Sequence, residues 1–268
     1  MDKHEGSIGV FDSGVGGISV LPEIRLLLPK QRILYYGDDR NAPYGTKSPA
    51  EVLRLSRLVM DKLVQSGCRA VVIACNTITG VAADELRHAY PLPIVGMEPA
   101  LKPAALLPQS GKVLVMATPV TLSQEKFARL MEHYGQDAIP VPCAGLPELV
   151  ERGEMEGPTV DTLLHQLLLP HFQGGARVKA IVLGCTHYVF LKNAIRRVAP
   201  GVPLVDGNEG TARQLKRRLQ ETGVLADIAE GDVTFLSSDG SDACAERMRQ
   251  LYAVAAEQSR REHASVAV

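Results

Sequence analysis

The sequence contains no tryptophan, and aromatic residues make up only 4% of it. Since 46% of the residues are hydrophobic, the core must be built mainly from aliphatic side chains. An excess of charge of one sign is also missing: 22% of the residues are charged, but the two signs nearly balance and the formal net charge is −1. The protein therefore lacks a basic field that would hold nucleic acid or an anionic membrane, and we expect neither as a partner.

Long apolar runs and paired cysteines are missing as well. No apolar run approaches the roughly 20 residues that cross a bilayer. The first seven residues lack the apolar segment of a secretion signal, so we expect a cytoplasmic protein. The five cysteines include no Cys-x-x-Cys pair, which argues against a disulfide framework and against a metal site.

Two apolar stretches of similar design each end in a cysteine. Residues 70–77 read Ala-Val-Val-Ile-Ala-Cys-Asn-Thr, and residues 180–187 read Ala-Ile-Val-Leu-Gly-Cys-Thr-His. Unbroken runs of this kind are typical of parallel strands buried on both faces. Because functional groups gather at the carboxyl ends of such strands, Cys75 and Cys185 are predicted to be functional. The other cysteines lack this setting and are interpreted as structural or incidental: Cys68, Cys143 and Cys244.

Strand and helix patterns alternate along the chain, which predicts an α/β fold with mainly parallel sheets flanked by helices. Ser48, Pro49 and Glu51 predict the start of a helix that runs to about residue 66. After the Cys75 strand, a helix is expected from about Thr79.

The order of the patterns divides the chain into two pseudosymmetric domains. A strand, a Ser- or Thr-containing turn and a helix occur at 8–28 and again at 112–134, and a cysteine strand follows each time. We predict one domain at 1–97 plus 207–268 with Cys75, an inserted domain at 98–206 with Cys185, and an active site in the cleft between them. The last ten residues are polar and are expected to be frayed.

A glycine-rich turn, Asp12-Ser13-Gly14-Val15-Gly16-Gly17, follows the first strand. It does not fit the dinucleotide fingerprint, since Ser19 stands where Gly or Ala belongs, and no P-loop lysine follows. The glycines are therefore interpreted as a tight turn that needs positive φ. A sharper hypothesis is that backbone N–H groups in this turn hold a carboxylate.

Four separated motifs together resemble glutamate racemase, in order and at the spacing of that family, over essentially the whole chain. They are Asp12-Ser13-Gly14, Pro43-Tyr44-Gly45-Thr46, Cys75-Asn76-Thr77 and Gly184-Cys185-Thr186-His187-Tyr188. The resemblance implies a homodimeric enzyme with two α/β domains and no cofactor, which supplies D-glutamate for bacterial peptidoglycan.

The resemblance also implies roles for individual residues. The catalytic residues would be Cys75, Cys185, Asp12, His187 and Glu151. The contacts with the glutamate substrate would come from Asp12, Ser13, Tyr44, Gly45, Asn76, Thr77, Thr186 and His187. The sequence departs from the family where Asp38-Asp39-Arg40-Asn41 replaces Asp-Thr-Ala-Arg, where Ile78-Thr79 replaces Ala-Ser and where Val189 replaces Pro.

Racemisation fits a pair of thiols. A proton must leave one face of Cα and another must arrive at the opposite face, and the thiolate is the reactive form of cysteine. In this interpretation Asp12 assists Cys75, while His187 and Glu151 assist Cys185.

Two alternatives remain open from the sequence. The first is a related aspartate or hydantoin racemase, which relative activity on glutamate and aspartate would distinguish. The second is a non-catalytic amino-acid-binding protein, which would not exchange the α-hydrogen of any amino acid.

Overall fold

The structure is a computed structural model that describes residues 6–173, 177–225 and 231–266. The chain forms two compact units, Met1–Met97 with Asn208–Val268, and Glu98–Gly207. In chain order the strands are β1 Ile8–Asp12, β2 Ile33–Gly37, β3 Ala70–Ile73, β4 Ile94–Gly96, β5 Lys112–Ala117, β6 Ala138–Pro142, β7 Val178–Leu183, β8 Leu204–Val205 and β9 Val233–Ser237.

Helices follow most of the strands. They are α1 Leu21–Leu27, α2 Pro49–Gln65, α3 Asn76–Ala89, α4 Leu101–Ala105, α5 Pro119–Leu122, α6 Glu125–Tyr134, α7 Leu146–Glu151, α8 Pro158–Leu168, α9 Lys192–Val198, α10 Asn208–Thr222 and α11 Asp242–Val266. Short 3-10 helices lie at Gly16–Val20, Asp39–Asn41, Tyr44–Thr46, Leu169–Phe172 and Thr186–Leu191. No helix in the described ranges is both long enough and apolar enough to span a membrane.

The first unit is built on a five-stranded parallel sheet in the order β4-β3-β1-β2-β9. On one face, Phe11, Leu34 and Val71 pack with apolar residues of α2 and α3. The alternate residues of the same strands point to the opposite face, where Met248 of α11 approaches Gly37. Helices therefore cover both faces, as buried parallel strands require.

The second unit has a four-stranded parallel sheet in the order β6-β5-β7-β8. Val113, Val115 and Val182 pack there with residues of α4 and α6. Read by chain position, β8-β7-β5-β6 repeats the order β4-β3-β1-β2 of the first unit. The predicted α/β fold with parallel sheets is confirmed, and β9 is the strand that the first sheet adds to the repeat.

The ends of the helices show where the local sequence pattern was sufficient to predict a boundary and where it was not. Helix α2 begins at Pro49, and Ser48 Oγ accepts a hydrogen bond of 3.3 Å from the backbone N–H of Glu51, as predicted. Helix α3 begins at Asn76 and not near Thr79. The expectation of frayed final residues was wrong up to Val266, because α11 continues to that residue. Residues 267 and 268 lie outside the described part.

Candidate active site

The first group of candidate residues lies at the carboxyl ends of two neighbouring strands. Asp12 ends β1, and Cys75 lies two residues beyond the end of β3, which pairs with β1. Ser13 Oγ lies 3.8 Å from Cys75 Sγ and donates a hydrogen bond of 3.0 Å to Asp12 Oδ1. All three side chains are buried. The thiol is therefore connected through a hydroxyl to a carboxylate.

The glycine-rich turn fits closely around Asp12. The backbone N–H of Gly14 donates to Asp12 Oδ1 at 3.1 Å, so this N–H is engaged by a side chain of the protein itself. The prediction of positive φ was wrong for this turn, because Gly14, Gly16 and Gly17 are not among the described glycines with positive φ. Gly17 is needed for space, since a Cβ there would lie 2.8 Å from the Cβ atoms of Ala74 and Asp12.

The start of α3 places Cys75 at the N-cap position, with extended φ and ψ of −98° and 123°. The partial positive charge at a helix N-terminus stabilises a thiolate at this position. Asn76 is the first helical residue, and its Nδ2 donates to the Met97 carbonyl at 3.3 Å. Its buried Oδ1 has no hydrogen-bond partner in the structure. Asn76 can therefore accept a hydrogen bond from a bound molecule, and the buried Thr77 follows it.

A buried tyrosine completes this group. Tyr44 OH donates to Asp38 Oδ2 at 2.5 Å, and Asn41 Nδ2 donates to both oxygens of Asp38 at 3.1 and 3.0 Å. Burial, followed by the hydrogen bond and charge of Asp38, raises the pKa of Tyr44, and Cys75 adds a smaller contribution. Gly45 follows in the same short helix, Tyr44–Thr46, which contacts α3. We call Asp12, Ser13, Asp38, Tyr44, Gly45, Cys75, Asn76 and Thr77 the Cys75 half-site.

The second group is centred on Cys185. This residue follows β7 and occupies the N-cap position of the 3-10 helix Thr186–Leu191. His187 Nδ1 lies 3.6 Å from Cys185 Sγ, and His187 Nε2 lies 2.7 Å from Glu151 Oε1. Glu151 is the last residue of α7. The imidazole therefore bridges a thiol and a carboxylate.

The surroundings of His187 favour its charged form. Burial lowers the pKa of His187 and is the largest single effect. The hydrogen bonds with Cys185 and Glu151, together with their charges, outweigh burial and raise the pKa well above its usual range. An imidazolium at neutral pH carries a proton on Nδ1, which lies 3.6 Å from the sulfur of Cys185, and it can donate that proton to the sulfur.

Thr118 is a member of this group that the sequence reasoning missed. It follows β5, is buried, and its Oγ1 lies 2.9 Å from Thr121 Oγ1. Strand β5 has the same position in the second sheet as β1 has in the first. Thr118, in the turn after β5, therefore corresponds to Ser13, in the turn after β1. The repeat of a Ser- or Thr-containing turn was the signal that could have identified it.

Cys143, interpreted from sequence as structural or incidental, lies in the same group. It follows β6, and its carbonyl accepts a hydrogen bond of 2.8 Å from Tyr188 OH. Burial first, and the charge of Cys185 second, raise the pKa of Cys143 to about 12. Cys143 therefore stays a neutral thiol and is unsuited to act as a base. We call Thr118, Thr121, Cys143, Glu151, Cys185, Thr186, His187 and Tyr188 the Cys185 half-site.

Comparison with known proteins identifies the family to which the chain belongs. The family model described as Asp/Glu/Hydantoin racemase matches residues 18–215. A glutamate racemase from Clostridium perfringens is 46% identical over 242 residues, which cover 88% of this chain and 92% of that protein.

Solved structures agree with this assignment. A glutamate racemase isoform from Bacillus anthracis is 31% identical with a TM-score of 0.82, covering 93% of this chain and 94% of its own. The Escherichia coli glutamate racemase, crystallised with L-glutamate and the activator UDP-MurNAc-ala, is 30% identical with a TM-score of 0.80. That alignment covers 92% of this chain and 95% of the E. coli chain. The chain therefore belongs to the glutamate racemases of the Asp/Glu/hydantoin racemase family.

Proposed function

We propose that the protein interconverts L-glutamate and D-glutamate without a cofactor, with Cys75 and Cys185 as two bases that act on one substrate. The observation that carries this proposal is the pairing of each thiol with its own proton-handling group. Cys75 lies beside Ser13, which bonds to Asp12, and Cys185 lies beside His187, which bonds to Glu151.

The two thiols exchange roles between the two directions of the reaction. One thiolate removes the proton from Cα of glutamate and becomes a thiol, and the opposite thiol donates its proton to the other face and becomes a thiolate. No net proton is gained or lost, and the enzyme returns to its starting state when both thiols re-equilibrate with solvent. His187 is the proton carrier for Cys185, and Ser13 with Asp12 is the carrier for Cys75.

The negative charge that develops at Cα spreads into the α-carboxylate of the substrate and needs hydrogen-bond donors there. Hydroxyl groups of Thr77, Thr118 and Thr186 are suited to this task because they belong to the two half-sites and are buried. The partnerless Oδ1 of Asn76 is suited to accept a hydrogen bond from the substrate ammonium group. Tyr44 and Gly45 are assigned to binding the side-chain carboxylate of the glutamate substrate.

The names of the similar proteins support glutamate as the substrate, in preference to aspartate or a hydantoin. The relatives at 46% and 31% identity are both glutamate racemases. A non-catalytic binding protein would have no need for two thiols, each with a hydrogen-bonded carrier.

Circular dichroism of L-glutamate incubated with the purified protein, with no added cofactor, tests the proposal. The signal should decay to zero, because equal amounts of the enantiomers form. Cys75→Ala and Cys185→Ala should each lower the rate by at least about a thousandfold, since one face of Cα then lacks its acid or base. Cys244→Ala is the matched control, because this half-buried cysteine belongs to neither half-site.

Four outcomes would contradict the proposal. Near-normal turnover of either half-site variant in both directions would exclude the two-thiol mechanism. Faster racemisation of aspartate than of glutamate would favour the first alternative, and no α-hydrogen exchange with any amino acid would favour the second. Loss of activity on dialysis against EDTA, restored by a metal ion, would exclude a cofactor-independent reaction.

The setting of the enzyme is proposed from the family. We assign the half-sites to two domains, 1–97 plus 207–268 and 98–206, and we place the protein in the cytoplasm, where it supplies D-glutamate for peptidoglycan. We also propose a homodimer. Analytical ultracentrifugation at high micromolar concentration should give twice the mass of the 28.9 kDa chain, and a monomer would contradict this assignment.

A further inference from the structure

The turn that carries Asp12 and Ser13 is held by a tyrosine from the neighbouring strand. Tyr35 lies in the middle of β2 and is fully buried. Its hydroxyl donates a hydrogen bond of 2.6 Å to the carbonyl of Gly14, while the N–H of Gly14 donates to Asp12 Oδ1 at 3.1 Å. Both backbone polar groups of Gly14 are therefore engaged.

These contacts lead directly to a thiol. Asp12 Oδ1, which the Gly14 N–H holds, also accepts a hydrogen bond from Ser13 Oγ at 3.0 Å. Ser13 Oγ in turn lies 3.8 Å from Cys75 Sγ. A shift of the Gly14 carbonyl would move the group that holds Asp12, and with it the hydroxyl beside the thiol.

The position of the tyrosine ring is itself restricted. The ring packs against Phe235 of β9 with a centroid distance of 6.1 Å, and Phe235 packs against Tyr252 of α11 at 5.8 Å. The end of β2 leaves room for the carbonyl, because a Cβ at Gly37 would lie 2.8 Å from Gly14 O. The hydroxyl is thus presented to the turn by a ring with little freedom to move.

Building on the proposed racemase function, we infer that Tyr35 is a positioning residue of the Cys75 half-site. It acts through Gly14 and Asp12, and it keeps Ser13 in place to hydrogen-bond the sulfur of Cys75. The hydroxyl does more than satisfy a buried carbonyl, because the same glycine also orients the carboxylate.

The chain offers a closely matched pair of variants. Tyr35→Phe removes only the hydroxyl and keeps the ring that packs against Phe235. Tyr36→Phe makes the same change one residue later, on the opposite face of the sheet, where the hydroxyl accepts a hydrogen bond of 2.7 Å from Lys62 Nζ. Thermal unfolding of both variants first establishes that each is folded.

The main readout is the rate at which iodoacetamide alkylates Cys75 and Cys185, measured in the same molecules by peptide mass spectrometry over a range of pH. In Tyr35→Phe, alkylation of Cys75 at neutral pH should slow by about tenfold, and its pH profile should move to higher pH. The reason is that, in a released turn, the Ser13 hydroxyl is no longer placed to turn its hydrogen from Asp12 to the Cys75 sulfur when the thiolate forms. Alkylation of Cys185 should not change, and Tyr36→Phe should match the wild type at both sites.

Racemisation is a second readout. In Tyr35→Phe, kcat/KM should fall by about tenfold and by the same factor in both directions, because the two enantiomers are equal in free energy. Unchanged alkylation of Cys75, equal changes at Cys75 and Cys185, or the same effect in Tyr36→Phe would each overturn the positioning role. If the wild type does not racemise glutamate, the proposed function fails, but the alkylation comparison still decides the role of Tyr35.

Discussion

Three cysteines at strand ends show how much the immediate neighbours of a residue determine its chemistry. Cys75 lies beside a hydroxyl bonded to a carboxylate, and Cys185 lies beside an imidazole bonded to a carboxylate. Cys143 donates its S–H to the carbonyl of Val141 at 3.2 Å, and its raised pKa keeps it neutral. The same side chain is thus a candidate base in two places and an inert thiol in the third.

The charge on His187 predicts a dependence of stability on pH. Its pKa is raised in the folded protein, partly by Glu151, so its protonation stabilises the fold fully below the unfolded-state value of about 6.5. That contribution is lost as pH rises through the folded-state pKa. Glu151→Gln should therefore lower the urea midpoint most near pH 6 and progressively less at higher pH.

Glu154→Gln is the control for this experiment. Glu154 is a nearby acid whose ion pair with Arg152 at 2.7 Å is solvent-exposed, with 58% and 41% of the two side chains accessible. Its removal should have little effect at any pH, since exposed ion pairs contribute little. A destabilisation by Glu151→Gln that is constant, or that grows from pH 6 to pH 9, would contradict a charged His187.

At the scale of elements, the helix after each cysteine strand begins at once, so the thiol occupies the N-cap position. The sequence pattern predicted the start of α3 near Thr79, although Asn76 and Thr77 come directly after Cys75 and are weak helix formers. The structure begins the helix at Asn76, and Thr79 Oγ1 accepts a hydrogen bond of 3.0 Å from the N–H of Met97. Contacts with neighbouring elements therefore override the local propensity.

Helix α11 extends beyond its expected end for a similar reason. Glu23 of α1 is a buried carboxylate that accepts hydrogen bonds from Ser259 Oγ at 2.7 Å and from His263 Nε2 at 2.9 Å. Two polar residues that suggested a frayed terminus are in fact bonded to the body of the first unit. Local polarity could not reveal a partner more than 230 positions away in the chain.

Glu23→Ala should therefore weaken the attachment of α11. We expect a loss of about 1–2 kcal/mol in the free energy of unfolding, because two hydrogen bonds to a mostly buried carboxylate disappear. Amide hydrogen exchange in the last two turns of α11 should also become faster. Glu257→Ala is the control, since this residue forms ion pairs with Arg260 and Arg261 on the exposed surface of the same helix.

Equal exchange of α11 amides in Glu23→Ala and in the wild type would show that Ser259 and His263 do not hold the helix. A comparable acceleration in Glu257→Ala would point to ion pairs along the helix, and not to contacts with α1, as the source of the stability of these turns.

At the scale of the whole molecule, the two units repeat one arrangement of four parallel strands and place a thiol after the third strand of each. The chemistry proposed for the protein needs both thiols, because protons enter and leave opposite faces of Cα. Duplication of a unit that positions one thiol is a direct route to such a pair.

Racemisation in deuterium oxide tests whether both units take part. The delivering thiol exchanges with solvent before the substrate arrives, so the product should carry α-deuterium from the first turnover. Mass spectrometry of the product, separated from the substrate on a chiral column at low conversion, provides the measurement. A product that first retains the α-hydrogen of the substrate would indicate a single base that carries one proton across.

The local pattern of residues was enough to predict the α/β class, the start of α2 and the place of Cys75 and Cys185 after two buried parallel strands. Apolar runs and capping residues act over a few positions, so their effect can be read directly from the chain. Only the tertiary structure decided that Cys143 and Thr118 join the Cys185 half-site. It also decided that Tyr35 holds the turn that lies beside Cys75, and that Glu23 bonds to the last turns of α11. Each of these contacts joins elements far apart in the chain, and their geometry depends on how strands and helices pack together.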